Sequence, residues 1–466
     1  MDILTGSRRR GLLLSIPRTV LVGVALVAVW LMPKFPRALC AAAQPAPVER
    51  TGEPVLKGQR AQAEAATLKQ EAVAVARQLA EAYPDDALTY ALLGSAFYNT
   101  GRSSEATKYL QKCLELKPDQ ADAYEILTRV AYDKGDLEEC ARLCREAVKR
   151  GPANPEVLNQ FGRALMDLGQ SNEAVQVLER ASRLPNASSQ SYYLLGQANL
   201  QSGNYSQGKE NFQRAIALLP DHTQAFFALY RACQGLGQAE EAQRYREQFV
   251  KLEETDRRSH SERSAQEDAL TGLSQVQNTV ARTFFGAAQI YNVHQQPSKA
   301  AEMLRKAASL DPETIYYWAA LEAHYVQRKA LVEGVAVFEQ LSSEQPSHRL
   351  AYFYLGRLHS RLDQVGAAEA AYRKVHELAP QWAEGYRALA DLYLRADRNP
   401  AEALVLARRA AELEPTGPHH YLLAVACVKN NDRPGALKAI KQAVVLAPQE
   451  KRYRDLLQQL DQGPQK

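Results

Sequence analysis

Residues 87–120 read ALTYALLGSAFYNTGRSSEATKYLQKCLELKPDQ, and the pattern inside this stretch decides the fold. Its first half carries apolar residues at helical spacing and ends at Gly101, a residue suited to a tight turn. Its second half places Ala106, Leu110 and Cys113 at i, i+4 and i+7, which is one face of an α-helix. The stretch therefore predicts two antiparallel helices joined by a turn, with the small Ala106 where they approach most closely.

The same pattern recurs at a period of 34 residues. The small residue of the second helix returns at Ala72, Ala106, Cys140, Ala174, Gly208 and Ala242. The turn glycine returns at Gly101, Gly135, Gly169, Gly203 and Gly237, and prolines close the units at Pro84, Pro118, Pro152, Pro185 and Pro220. A second array repeats the small residue at Ala300, Gly334, Ala368, Ala403 and Ala436. Ala242 and Ala300 are 58 positions apart, which is one 34-residue period plus 24 residues. The two arrays therefore consist of the same repeat, with one insertion between them.

This order of small residue, aromatic, glycine, alanine and proline at a 34-residue period resembles the tetratricopeptide repeat. The resemblance covers residues 87–450, about ten repeats. It implies an all-α fold, an α-α solenoid in which stacked helix pairs form a right-handed superhelix with helical caps. It also implies that the first helix of each pair lines a concave groove. The sequence departs from the family at the turn position of five units, and the ninth unit has an extra turn residue near Pro400. The five replacements are Gln295, Lys329, Asp363, Asp397 and Asn431.

The repeats divide the chain into segments. We expect a signal peptide or membrane anchor at 1–43, a flexible spacer at 44–60, a first array at 61–252 that begins with a half-repeat cap, a charged insertion with a helix extension at 253–280, a second array at 281–450, and a capping helix and tail at 451–466. Since each repeat contacts only its neighbours, we expect the arrays to respond separately to truncation and a fragment of residues 44–256 to fold alone.

The N-terminus has the layout of a secretory signal. Four arginines precede the apolar run 19–32, and three alanines at 41–43 form an A-x-A site before Gln44. An uncleaved anchor is the alternative, because extending the run back to Gly11 gives 22 residues, enough to span a membrane. In both cases the arginine-rich flank predicts that the repeats lie outside the cytoplasm, secreted, periplasmic or anchored with the repeats facing outward. Membrane contact is expected only through this segment.

Composition and motifs exclude several function classes. A net charge of +4, from 57 basic and 53 acidic residues, is too small and too evenly spread for nucleic-acid binding. No catalytic or phosphate-binding motif is present, so we expect a protein that is not an enzyme and takes no cofactor. His419-His420 is the pair that most resembles a metal site, but adjacent helical residues point apart and packing is the favoured interpretation. Packing is also favoured for Cys140 and Cys144, which lie at i and i+4 and occupy small or apolar core positions.

The resemblance selects a set of residues that would face the groove. Aromatic and arginine side chains are enriched at the centres of protein interfaces. The alternative is that some of these aromatics pack against neighbouring helices. The candidate partner-binding residues are Arg129, Arg163, Tyr193, Phe227, Arg231, Phe285, Tyr316, Phe353, Arg357, Arg387 and Tyr421.

The preferred function is therefore a scaffold that binds a partner protein or peptide. An accessory binding subunit for an envelope enzyme, or for export or glycan-processing machinery, is the second hypothesis, and an enzyme with an unrecognised site in the groove is the third.

Overall fold

The computed structural model describes residues 52–151, 154–262 and 265–462. Within these ranges the chain forms helices and no β-strand. The helices are α1 (Gly52–Ala82), α2 (Ala87–Asn99), α3 (Ser103–Leu116), α4 (Ala121–Asp133), α5 (Leu137–Arg150), α6 (Pro155–Asp167), α7 (Ser171–Ser182), α8 (Ser189–Gln201), α9 (Tyr205–Leu218), α10 (Thr223–Gly235), α11 (Ala239–Glu262), α12 (Ala265–Val293), α13 (Pro297–Leu310), α14 (Ile315–Gln327), α15 (Leu331–Glu344), α16 (Arg349–Arg361), α17 (Val365–Leu378), α18 (Ala383–Arg395), α19 (Pro400–Leu413), α20 (Gly417–Lys429), α21 (Arg433–Leu446) and α22 (Lys451–Gln462).

From α2 to α21 the helices form consecutive antiparallel pairs, and even-numbered helices are the first of each pair. Each first helix also contacts the first helix of the next repeat within an array, as α4 does with α6 and α14 with α16. We call the exposed surface of the even-numbered helices from α2 to α20 the first-helix face. This arrangement confirms the all-α solenoid predicted from the 34-residue period.

Close approach within a pair depends on small residues in both helices. Ala106 and Cys140 of the second helices are fully buried, as the repeat pattern predicts. On the first helices, a Cβ added to Gly196 would lie 2.5 Å from the ring of Phe212, and one added to Gly162 would lie 2.4 Å from Leu178. These distances leave no room for a methyl group, so glycine is required for the two helices to pack.

The turn between paired helices uses a left-handed residue in every repeat. The five turn glycines of the first array have φ between 72° and 78°. In the second array the five residues that replace glycine, such as Lys329 at φ 56°, adopt the same conformation. Asn399, the extra turn residue before Pro400, is also left-handed at φ 45°. The sequence departures therefore preserve the turn but place side chains where an L-residue is strained by about 1–2 kcal/mol.

We expect Lys329→Gly to raise the free energy of unfolding by about 1 kcal/mol, because glycine relieves the left-handed strain and loses only part of that gain in the unfolded chain. Lys329→Ala is the matched control, since it removes the same side chain and keeps the strain. Chemical denaturation followed by far-UV circular dichroism measures the difference. Equal stability of the two variants would contradict the strain argument.

The structure describes only part of the N-terminal segment for which a signal or anchor and a flexible spacer are predicted. The signal or anchor at 1–43 lies outside the described residues. Residues 52–60 were expected to belong to a flexible spacer, but they form the first turns of α1. This part of the boundary was wrong because the composition of the segment does not prevent a helix that continues into α1. No helix in the described ranges is long and apolar enough to cross a membrane.

The described parts of the insertion between the arrays, residues 253–262 and 265–280, belong to two long helices. α11 has 24 residues and α12 has 29, whereas the first helices of the other repeats have 13. The charged residues 253–262 extend α11, and the apolar spacing of Leu270, Val276 and Val280 extends α12 at its start. The prolonged first helix of the sixth repeat is therefore present as expected.

α12 does not continue the stack from α11, because it packs against the beginning of the first array. Val280, Ala281 and Phe284 of α12 share a buried core with Ala72 and Leu79 of α1. Leu92 of α2 packs against the cores of both arrays. The two arrays thus meet at their N-terminal ends, and we call this contact the junction.

Polar contacts also cross the junction. Lys306 Nζ donates to Glu71 Oε1 at 2.6 Å. The ring of His294 stacks on Tyr83 at 3.6 Å between centroids, and its Nε2 lies 2.9 Å from Asp86 Oδ2. The half-repeat cap is expected to cover an exposed end of the stack, but the buried face of α1 contacts both arrays: Ala72 and Leu79 lie in the core shared with α12, and Ala76 lies in the core of the first array.

The opposite end of the second array is covered by α22. Tyr453 of α22 is fully buried against Ile440 and Ala443 of α21, and Arg433 donates a hydrogen bond to the Leu460 carbonyl. The apolar face of α21, which would otherwise meet solvent, is buried in this way.

Candidate protein-binding surface

All eleven candidate residues lie on first helices, but the structure does not bring them into one site. Three of them, Tyr193, Phe227 and Arg231, line one pocket on the first array. Three others line a second pocket on the second array. The remaining five lie apart from these two pockets.

The first pocket, which we call the aromatic pocket, lies between α8, α10 and α11 and has a volume of about 450 Å³. Phe227 is 43% exposed, and its ring lies 5.2 Å from that of Phe249 on α11. Tyr193 closes the floor, with its ring 5.8 Å from Phe212. The rest of the lining is Gln197, Leu200, Gln201, Gln224, Ala228 and Arg231. Aromatic rings surrounded by amides can bury an apolar side chain while hydrogen-bonding a peptide backbone.

Two polar groups of the aromatic pocket, the Tyr193 hydroxyl and the Arg231 guanidinium, differ in whether the described residues offer them a hydrogen-bond partner. Gln197 Nε2 donates to the Tyr193 hydroxyl at 2.9 Å. Burial raises the pKa of this phenol, with the Gln197 hydrogen bond opposing the shift, so the hydroxyl stays protonated. The exposed guanidinium of Arg231 has no hydrogen bond or ion pair within the described part of the chain. It is therefore available to an acceptor on a bound partner.

The second pocket, which we call the arginine pocket, lies between α16 and α18 and has a volume of about 230 Å³. Its lining combines four arginines with one aspartate, over a floor that includes two aromatic rings. The lining residues are Phe353, Arg357, Ser360, Arg361, Tyr372, Arg387, Ala388, Asp391 and Arg395. Arg361 and Arg395 occupy the same position of consecutive repeats, since they are 34 residues apart.

Carboxylates hold these arginines in place. Glu322 of α14 is 4% exposed, and its Oε1 accepts from Arg357 Nε at 2.9 Å and from Arg361 Nε at 3.3 Å. Burial opposes the charge of Arg357, but its hydrogen bond with Glu322 raises the pKa of the guanidinium, which remains protonated. Arg395 pairs with Asp391.

Arg387 completes the arginine pocket and is held from its own helix. Its Nε donates to Glu384 Oε2 at 2.6 Å. Burial would raise the pKa of Glu384, but the nearby His419, whose Nε2 lies 3.6 Å from Oε1, and the hydrogen bond and charge of Arg387 lower it, so the carboxylate is ionised.

Phe353 is a correction to the candidate set. It is 3% exposed and packs against Tyr354, Tyr372 and Trp382, with the Trp382 ring 4.9 Å away. The packing alternative therefore describes Phe353, whose ring supports the arginine pocket from below. Tyr193 is similar at 9% exposed, and touches the aromatic pocket only at its floor.

Tyr421 is also not an open groove residue. Its ring stacks on Tyr453 of α22 at 5.1 Å, and the Arg452 guanidinium lies 5.4 Å from it. The terminal helix covers this position because the last repeat has no following first helix to pack against.

The remaining four candidates lie on other parts of the first-helix face. Tyr316 is 58% exposed, and its ring contacts that of the half-buried Phe285 at 5.0 Å. Arg163 lies over the Tyr132 ring at 4.7 Å, and Arg129 pairs with Glu125 at 2.9 Å. Their participation in binding stays a prediction.

Sequence reasoning missed several residues of both pockets. Phe249 could have been found, because it follows Ala215 by 34 residues, at the second-helix position that Cys113 and Ala181 hold in earlier repeats, and a phenylalanine departs from those small residues. Arg361 and Arg395 could have been found, because each lies one turn or two beyond a selected arginine on the same helix face. Glu322 had no signal, since a single glutamate in a helix is ordinarily exposed.

Of the residues considered for metal or thiol chemistry, His419, Cys140 and Cys144 are packed in the core and His420 is partly buried. His419 is 2% exposed, and its Nδ1 lies 2.7 Å from the Glu414 carbonyl oxygen. Among the described residues no cluster of histidine, cysteine, aspartate or glutamate could hold a metal ion. Cys140 and Cys144 are free thiols, fully buried in the core of the first array. These positions agree with the packing interpretation.

Comparison with protein families agrees with the repeat geometry. Models of the tetratricopeptide repeat match residues 62–120, 91–155, 131–198, 189–222 and 333–382. The chain belongs to the tetratricopeptide-repeat family. The matches fall in both arrays, and the helix pairs fill the intervals between them.

Solved structures with a similar fold are distant in sequence. They include yeast Tom70, with 15% identity over 82% of this chain and 96% of that chain and a TM-score of 0.35. PilF of Pseudomonas aeruginosa has 21% identity over 52% of this chain and 96% of that chain, with a TM-score of 0.33. YrrB, described as a TPR protein with an unusual peptide-binding site, has 18% identity over 53% and 96%, with a TM-score of 0.30. No curated protein sequence matches the chain.

Proposed function

We propose that this tetratricopeptide-repeat protein is a non-catalytic scaffold that binds a partner protein or peptide on its first-helix face, outside the cytoplasm or at the membrane. The aromatic pocket carries this proposal. It combines an exposed phenylalanine and an arginine without a partner in the described structure, and aromatic and arginine side chains supply much of the binding energy at protein interfaces. Amide side chains beside them can form hydrogen bonds with a partner.

The chemistry of the pocket favours an extended segment over a small molecule. The pocket opens along α8 and α10, where amides of Gln197, Gln201 and Gln224 can reach a peptide backbone. The exposed ring of Phe227 offers apolar area that an interacting side chain would remove from water. The fold alone does not identify this surface as a binding site, because proteins of one fold can bind many unrelated partners.

The extracytoplasmic location rests on the arginine-rich flank and apolar run of the N-terminal segment. Capture experiments should therefore start from the envelope and secreted fractions of the source cell, with the soluble cytoplasmic fraction processed in parallel. Finding the chain with an intact N-terminus only in the cytoplasmic fraction would contradict this part of the proposal.

We expect Phe227→Ala to weaken partner binding by about 2 kcal/mol, close to thirtyfold in Kd, while changing the melting temperature little. The reason is that Phe227 is half exposed and contributes more to a partner contact than to the core. Leu218→Ala on α9 is the matched control, because it removes an exposed apolar side chain from a second helix. The measurement is affinity capture with quantitative mass spectrometry, followed by titration of the partner. Equal capture of every partner by the two variants would remove the aromatic pocket from the binding site.

A further inference from the structure

A third cavity lies at the junction, between α1, α2 and α12, and we call it the junction pocket. It has a volume of about 220 Å³ and is lined by helices of both arrays. Its lining combines small apolar side chains, among them the buried Ala72, Ala96 and Val280, with one lysine, two amides and three threonines. The lining residues are Lys69, Ala72, Ala96, Asn99, Thr100, Gly272, Gln275, Val276, Thr279, Val280 and Thr283.

Three polar side chains of the junction pocket have no partner among the described residues. The ammonium group of Lys69 and the side-chain amides of Asn99 and Gln275 form no hydrogen bond or ion pair there. The helix of Lys69 offers it no carboxylate, because alanine or valine occupies every position three or four residues away. One positive charge and two amide groups, each from a different helix, are therefore available to a ligand.

The threonines of the junction pocket are already used as donors. Thr100 Oγ1 donates to the Phe97 carbonyl oxygen at 2.7 Å, and Thr279 Oγ1 donates to that of Gln275 at 2.9 Å. Thr283 Oγ1 donates in the same way to the Thr279 carbonyl oxygen at 3.3 Å. The donors left for a ligand are thus the lysine and the two amides.

Gly272 leaves space beside the junction pocket. It lies inside the 29-residue α12, and glycine is the least favourable residue in a helix interior after proline. Close packing does not explain it, because a Cβ added to Gly272 would meet no atom within 4 Å. In contrast, a Cβ added to Gly286 of the same helix would lie 2.8 Å from Leu92, where α12 meets α2. Packing therefore accounts for Gly286 and leaves Gly272 for the open space at the pocket.

We propose that the junction pocket binds a small organic monoanion, a carboxylate with a short apolar chain. The carboxylate would accept hydrogen bonds from Lys69, Asn99 and Gln275, and the chain would cover Ala72 and Val280. One ammonium group matches one negative charge, whereas a phosphate group brings about −1.5 to −2 at pH 7. The volume of about 220 Å³ is below the range of about 300–1,000 Å³ typical of small-molecule sites, so the ligand is small. This site does not depend on the proposed function, because its ligand is a free small molecule that contacts both arrays.

Saturation-transfer difference NMR on the full-length chain tests the chemistry with butyrate, butyramide and acetate as probes. Butyramide keeps the chain and lacks the charge, whereas acetate keeps the charge and lacks most of the chain. We expect butyrate to bind about tenfold more tightly than either, which corresponds to about 1.4 kcal/mol. Equal affinity for butyrate and either other probe would overturn the proposal. Displacement of butyrate by inorganic phosphate at a lower concentration than by acetate would also overturn it.

Two variants locate the binding in the junction pocket. Lys69→Gln removes a charge that has no partner among the described residues, so the fold is expected to persist. Its affinity for butyrate should fall about tenfold, the effect of losing about 1.4 kcal/mol, while its affinity for butyramide stays unchanged. Gly272→Leu adds a side chain in the open space at the pocket, and we expect it to abolish butyrate binding while circular dichroism shows the helices retained. Butyrate binding that is unchanged in either variant would contradict the assignment.

Each variant has a matched control on a second helix of the second array. Lys441→Gln on α21 removes an exposed lysine that also has no partner within the described ranges. Gly366→Leu on α17 adds the same side chain at a glycine whose added Cβ likewise meets no atom within 4 Å. Both controls should bind butyrate as the parent does. A loss in Lys441→Gln equal to that in Lys69→Gln would show a diffuse effect of net charge, and an equal loss in Gly366→Leu would show a nonspecific effect of the added side chain; either would overturn the pocket.

Discussion

Phe353→Ala should lower the free energy of unfolding by about 3–5 kcal/mol, the loss expected when a buried phenylalanine is truncated. The ring is 3% exposed and contacts three other aromatic side chains, so its removal leaves a cavity under the arginine pocket. Chemical denaturation monitored by circular dichroism and by tryptophan fluorescence measures the change. Trp382 reports it directly, because its ring centroid lies 4.9 Å from that of Phe353.

The effect of Phe353→Ala on stability is to be compared with that of Phe227→Ala. The two phenylalanines occupy related positions on first helices, yet one is buried and the other is 43% exposed. We expect the exposed position to affect binding and the buried one to affect stability. A Phe353→Ala variant that unfolds at the same denaturant concentration as the parent would show that the site is not packed as the structure has it.

The contrast between these two positions marks how far the sequence alone can reach. The repeat period and the residue types predicted which helix carries each candidate partner-binding residue, because a 34-residue period determines the helix pair and its register. They did not separate Phe353 from Phe227, since burial depends on what the neighbouring helices place opposite. Trp382, which covers Phe353, lies at the N-cap of the next first helix, where the repeat pattern sets no particular residue.

At the turn positions the repeat register predicted where each turn lies, although the replacement of glycine left the backbone conformation of five turns open. Five residues stood where the first array has glycine, and the left-handed conformation was preserved at every one. Local geometry is dictated by the need to reverse the chain within a few residues, so the side chain adapts to the turn.

The junction could not be predicted, because it depends on a contact between residues about 200 positions apart. The repeat pattern specifies contacts between successive units and says nothing about a chain that returns to its own beginning. Leu79 and Ala72 repeat the spacing of ordinary second-helix core residues, yet they are buried by α12. The expectation that residues 44–256 fold alone stays a prediction, but such a fragment would expose this surface of α1.

Leu79→Ala should therefore destabilise the second array, although the residue lies at the start of the first array. Truncating a fully buried leucine costs about 2–5 kcal/mol, depending on how far the cavity collapses. A chain beginning after residue 43 has tryptophan only at positions 318 and 382, both in the second array. Its tryptophan fluorescence should lose the native signal at lower denaturant concentration in the variant than in the parent.

Leu110→Ala provides the control for this experiment. Leu110 is equally buried, but it lies in the core of the first array and not in the core shared with α12. We expect Leu110→Ala to destabilise the first array, so that part of the circular dichroism signal is lost at lower denaturant concentration. The tryptophan transition should move less than it does in Leu79→Ala. A tryptophan transition unchanged by Leu79→Ala would mean that the arrays unfold independently, and the junction would then be a contact without energetic coupling. A shift confined to Leu79→Ala would show that α1 transmits stability between arrays, because its buried face is common to both.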